Sequence, residues 1–159
     1  MIDLFQKFNE GQEELLVDAI PLITILIAGA DGNIDDDEKS WGAKLTKIRS
    51  YSYPELLNEY YKTVGATYSD KVESYIKSLP SDVDARSAAI SEKLTGLNGL
   101  LAQLDQADAH IIYKSFLTFA EHVAKASGGF LRIGAISNAE SKLMGLPMIT
   151  AIEQPEEEA

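Results

Sequence analysis

The chain has 159 residues, 45 % of them apolar, and a formal net charge of −11 from 25 acidic against 14 basic side chains. That length suits one domain with a sizeable core, while the acidity argues against nucleic acid, which calls for a basic face, and against docking on anionic lipid. The absence of cysteine excludes disulfides, zinc–thiolate sites and thiol catalysis.

The first sixteen residues, MIDLFQKFNEGQEELL, lack a basic region followed by an apolar stretch. No signal peptide is expected, and the chain reads as cytoplasmic. Ile2, Leu4, Phe5 and Phe8 suggest a short opening helix, which Gly11 interrupts. Residues 12–30, QEELLVDAIPLITILIAGA, read as the next helix, with Pro21 kinking it or starting a new piece. Leu22, Ile23, Ile25, Leu26 and Ile27 leave it no polar face, so it is expected to be central and buried all round. Its apolar run is far short of the ~20 residues a membrane span needs, so no membrane insertion is expected.

An acidic stretch follows, AGADGNIDDDEKS (28–40), with five carboxylates between Asp31 and Glu38. Residues 38–51 then carry Trp41, Leu45 and Ile48 at helical spacing. Two helices are expected next, over 54–66 and 69–80, the second opening on a Ser or Asp cap and stopping at Pro80. Residues 81–104 read as one long amphipathic helix opening on Ser81 or Asp82 and weakened by Gly96 and Gly99. Asp105 or Asp108 caps a helix that ends at Gly128-Gly129, and a last helix is expected over 137–146. The tail EQPEEEA (153–159) is charged, lacks apolar anchors and is expected to be disordered. No stretch alternates as a strand would. The expected fold is an all-α, single-domain bundle of seven or eight helices over 1–152.

Two octets align within the chain, DGNIDDDE (31–38) and IGAISNAE (133–140). Gly, Ile and Glu coincide at the second, fourth and eighth places. Each octet follows a long apolar helix and opens another, so a pseudo-twofold repeat of helix, acidic loop and helix is expected.

An apolar helix ending in Ala-Asp-Gly, then Ile two places after the Gly and Glu four beyond it, resembles the tellurite-resistance TerB-like family. AKASGGFLRIGAISNAE (124–140) is similar to that family's second motif, a Gly-Gly-Phe loop before an Ile-Ser-x-x-Glu helix start. The resemblance covers roughly 15–146; the middle of the chain carries no family signal. It implies an all-helical, pseudo-twofold domain associated with bacterial stress and tellurite resistance, whose acidic residues are proposed to bind metal. Asp31 and Glu38 match the first motif and Glu140 the second. The second copy departs from the pattern, with Ser127 or Ile133 where an aspartate would complete it, which leaves a single or degenerate site.

Carboxylate oxygens suit hard cations such as calcium, magnesium or manganese. Asp31, Asn33, Asp35 and Asp37 alternate like the start of a calcium loop. Asp36 stands where an EF-hand needs glycine, however, and Gly42 where it needs the bidentate glutamate. The metal set expected is therefore Asp31, Asp35 and Glu38 with Glu140 from the second octet. Crowded like charges also gain from a bound divalent ion.

A second reading needs no metal. Asp35-x-x-Glu38 and Ser137-x-x-Glu140 both fit a capping box, acids in a first turn favour the helix dipole, and a cap contributes about 1 kcal/mol. Asp31 is then a turn acid before Gly32.

His110 and His122 fall about 120° apart on one helix and are read as ordinary helix residues. Tyr51, Tyr53, Tyr60, Tyr61, Tyr68 and Tyr75 mean packing with a wet edge, or a partner groove. The loop 129–133 folds onto the core or presents Phe130 and Leu131 to a partner. No nucleophile signature, phosphate loop or dinucleotide fingerprint is present, so neither enzyme activity nor an organic cofactor is expected. The expected function is a TerB-like stress-response or signalling adaptor that holds a divalent cation and binds a protein partner. The alternative is a purely structural interaction module whose acids only cap helices.

Overall fold

The computed structural model describes residues 6, 8–30, 36–52, 55–128 and 143–155, without the side chains of 36–38, 52, 55 and 126–128. Among these residues there are six helices and no strand: α1 (Glu10–Ala28), α2 (Asp36–Ser52), α3 (Glu55–Ser78), α4 (Val83–Thr95), α5 (Leu97–Leu101) and α6 (Gln106–Gly128). The all-α reading holds; several boundaries differ from those expected, and the expected total of seven or eight helices extends over residues outside the described set.

α1 starts two residues early. Asn9 accepts from the Gln12 N–H at 2.9 Å, and the Gln12 side chain accepts from the Asn9 N–H at 3.0 Å. This capping box contributes about as much as a glycine in the first turn costs, so Gly11 does not break the helix. Nor does Pro21: α1 runs through it as one helix. Every residue from Asp18 to Ala28 is buried, and α1 packs against all five other helices. The apolar run is therefore the axis of the bundle, as its lack of a polar face required. Each wholly buried Leu or Ile there stabilises the fold by roughly 1.5–3 kcal/mol.

α3 is one helix where two were expected. Leu57, Tyr60, Tyr61, Val64, Tyr68 and Val72 form a single unbroken buried stripe, and burying it outweighs the exposed Gly65 at its middle. The reverse holds for 81–104, which divides at Gly96 into α4 and α5. Asp82 is the cap of α4, accepting from the Ala85 N–H at 2.9 Å. At Gly96 a Cβ would lie 3.0 Å from the Leu15 side chain of α1, so the missing side chain lets α1 and the α4–α5 junction close together.

Most of the opening helix expected near residues 2–8 and most of the one over 137–146 lie outside the described residues, as does the second octet. Residues 144 and 145 are turn, and Leu146 is not helical either. No helix among the described residues is long and apolar enough to cross a membrane.

Candidate functional site

Asp31, Asp35 and Glu140 lie outside the described residues. The backbone of Glu38 stands in the first turn of α2; its side chain is outside the described set. What the structure defines is the frame on either side of the acidic stretch. α1 ends at Ala28, and Gly29 turns its N–H back to the Ile25 carbonyl at 2.8 Å. Ala30 N–H reaches the Ile27 carbonyl at 3.2 Å. The last turn of α1 carries no basic residue of its own. Instead Arg86 of α4, only 8 % exposed, donates through Nη2 to the Gly29 carbonyl at 2.9 Å. A guanidinium from elsewhere in the fold thus meets the negative end of the α1 dipole two residues before Asp31. α2 begins at Asp36 and packs on α1, so the acidic segment is tethered at both ends to fixed helix termini.

A second acidic region was not expected from the sequence. Asp18, 5 % exposed, accepts from the Tyr75 hydroxyl at 2.6 Å through Oδ2. Its Oδ1 lies 2.9 Å from the Lys71 ammonium, although no N–H is aligned on that oxygen. Asp18 closes one end of a groove of about 460 Å³ between α1 and α3, with Glu10, Glu13 and Glu14 along the α1 wall and Lys71 opposite. Four carboxylates against one ammonium leave it anionic. The signal available in the sequence was an aspartate inside an apolar run, between Val17 and Ala19. Burial, then the bond to Asp18, pushes the Tyr75 hydroxyl well above the ordinary tyrosine range. Tyr75 therefore keeps its proton and donates it to the Asp18 carboxylate as a structural tie between α3 and α1.

A third polar group sits among α2, α3 and α6. Arg49, 4 % exposed, donates to the Tyr61 hydroxyl, the Ser115 carbonyl and Thr118 Oγ1, each at 2.8 Å. Its guanidinium carbon lies 5.1 Å from the Tyr61 ring centroid and 5.5 Å from that of Phe119. Tyr61 in turn donates to Ser115 Oγ at 3.1 Å, and Ser115 donates to the Ile112 carbonyl. Ser115 is wholly buried, so its hydroxyl cannot reach a substrate. Partial burial, reinforced by the Arg49 charge, lowers the pKa of His122. His110 serves elsewhere: its Nδ1 lies 2.7 Å from the Ile152 carbonyl.

Among the described residues, no group of three or more histidines and carboxylates is placed to hold a metal ion. No family model matches the chain, and neither curated proteins nor solved structures give a match.

Proposed function

We propose that the chain is a non-enzymatic, TerB-like helical module of pseudo-twofold design that holds one divalent cation and acts as a cytoplasmic stress-response or signalling adaptor for a protein partner. Asp31, Asp35 and Glu38 supply oxygens from the first acidic loop and Glu140 from the second. The observation that supports this reading best is the mounting of the first loop. It follows directly on a helix buried on every side, and the chain re-enters the bundle within a few residues at α2. Carboxylates tethered to rigid ends lose less freedom on coordinating an ion than carboxylates on a mobile loop.

Melting followed by circular dichroism tests it. Calcium, magnesium or manganese raises the melting temperature by mass action, equivalent to about 2.7 kcal/mol at a hundred times the dissociation constant. Asp31→Asn removes the increase. An unchanged melting temperature with all three ions overturns the proposal.

One observation favours the plainer reading. α2 opens with Asp36, Asp37 and Glu38 in its first turn, where the helix dipole favours acids, and Arg86 already brings a fixed positive charge to the end of α1. On that reading Glu38→Gln is nearly neutral for stability, and calorimetry records no heat with any of the three ions.

A further inference from the structure

Residues 144–155 have no regular secondary structure, yet they are held as a bound peptide would be. Asn98 of α5 brackets it. The Asn98 side chain donates to the Met148 carbonyl at 3.2 Å and accepts from the Thr150 N–H at 2.8 Å. Gln106 at the start of α6 donates to the Glu153 carbonyl at 3.0 Å, and His110 Nδ1 meets the Ile152 carbonyl. All four contacts go to main-chain atoms. They read the main chain of a segment that turns at 147–149, where the Ile149 N–H meets the Leu146 carbonyl at 3.0 Å, rather than particular side chains.

Selectivity comes from anchors at every third position. Leu146 is wholly buried, Ile149 is 3 % exposed, and Ile152 is half-buried against the core. The residues between them, Pro147, Met148, Thr150 and Ala151, are uncharged. The seat is imperfect in two ways. Leu146 reaches its pocket only by adopting a positive φ of 48°, which a leucine seldom takes. Beside the segment a groove of about 430 Å³ remains along Leu101, Leu104, Ala109 and Ile152, so dispersion contacts are forgone there. Charge is also mismatched. Gln106, which holds the Glu153 carbonyl, stands between Asp105 and Asp108.

We propose that the α5–α6 groove is a peptide-docking site that residues 146–153 occupy as a resident intramolecular ligand. It takes in trans a partner segment of the same turned form, with apolar side chains at every third position and a basic residue directly after the third. The resident segment shows the register, and the acids beside Gln106 set the preferred charge. This inference is independent of any cation at the acidic loops.

Two measurements on the full chain test it. In the wild-type protein, amide hydrogen exchange at Thr150 proceeds at least a hundredfold faster than at Ile23 in α1, because the segment leaves the groove while the bundle stays folded. Equal protection at the two amides means that the segment is core and overturns the proposal. The second measurement is fluorescence anisotropy with a labelled peptide of residues 145–154 carrying Glu153→Lys. Ile149→Asp in the chain expels the resident segment, and Thr150→Pro, which removes the N–H that Asn98 accepts, is the milder variant. Whichever of these retains the wild-type helical spectrum binds the peptide saturably, at least tenfold tighter than wild type. Adding Asn98→Ala weakens binding about tenfold, and the unsubstituted Glu153 peptide binds less tightly than the lysine form. Absence of binding by a folded, opened variant overturns the proposal.

Discussion

At the scale of single residues, the contact between Gly42 and Tyr68 shows how little room the core allows. The Tyr68 hydroxyl is held by Thr24 Oγ1 of α1 at 3.0 Å and lies against the α2 backbone at Gly42. A Cβ at Gly42 would overlap that hydroxyl, with the ring's Cζ at 3.0 Å and Phe119 Cζ at 3.6 Å. Alanine is the better helix former by about 1 kcal/mol, so an open site would gain from Gly42→Ala. Here overpacking wins: the expected loss is about 1–3 kcal/mol in urea unfolding. Tyr68→Phe removes the obstructing oxygen and costs about 1 kcal/mol alone, through the lost hydrogen bond. In the double variant the hardest overlap is gone and only the tight contact with the ring Cζ remains, so the two changes together cost less than their sum. Additive losses would show that the hydroxyl is not what excludes the methyl group.

Among the elements, α2 shows most plainly what a linear pattern can and cannot reveal. Trp41, Leu45 and Ile48 have helical spacing, but spacing alone does not locate the buried face. In the structure Ile48 is 38 % exposed, and the buried stripe is Gly42, Leu45, Thr46 and Arg49. An arginine was invisible as a core residue because its acceptors lie far off, at Ser115 and Thr118 in α6. The Arg86–Gly29 and Asp18–Tyr75 pairs were hidden for the same reason, each spanning 57 residues. The buried α1 was legible because its signal is wholly local, a run of apolar residues with no polar face. The acidic stretch was legible only as charge density; how α4 holds its entrance was not. Arg49 can be tested at this scale. Lysine keeps the charge but lacks the planar fork that reaches three acceptors and stacks on two rings. Arg49→Lys is expected to lower stability by about 2 kcal/mol or more, and Arg49→Met by about 3 kcal/mol. Equal stability of wild type and the lysine variant would mean that charge alone matters at this junction of α2, α3 and α6.

For the molecule as a whole, three tyrosines tie α3 to the central helix along its length. Tyr60 donates to the Leu16 carbonyl at 2.6 Å, Tyr68 to Thr24 and Tyr75 to Asp18, all on α1. Burial is the first cause that raises the pKa of each, taking Tyr68 to about 12 and Tyr60 well above the ordinary range. The folded state therefore keeps protons that the unfolded chain releases above its ordinary tyrosine value near 10. Where the unfolded chain binds fewer protons, stability falls as pH rises. For Tyr68 the contribution is intact below pH 10 and is lost between pH 10 and about 12, at roughly 1.4 kcal/mol per unit. Lysines titrate in the same range, so the comparison that isolates the effect is wild type against Tyr68→Phe. Urea unfolding at pH 9, 10 and 11 should show wild type ahead at pH 9, with its advantage shrinking by about 1 kcal/mol or more by pH 11. Parallel profiles would mean that the phenol ionises as easily in the folded bundle as in the open chain, which is incompatible with a tyrosine 2 % exposed whose hydroxyl is bonded to the central helix.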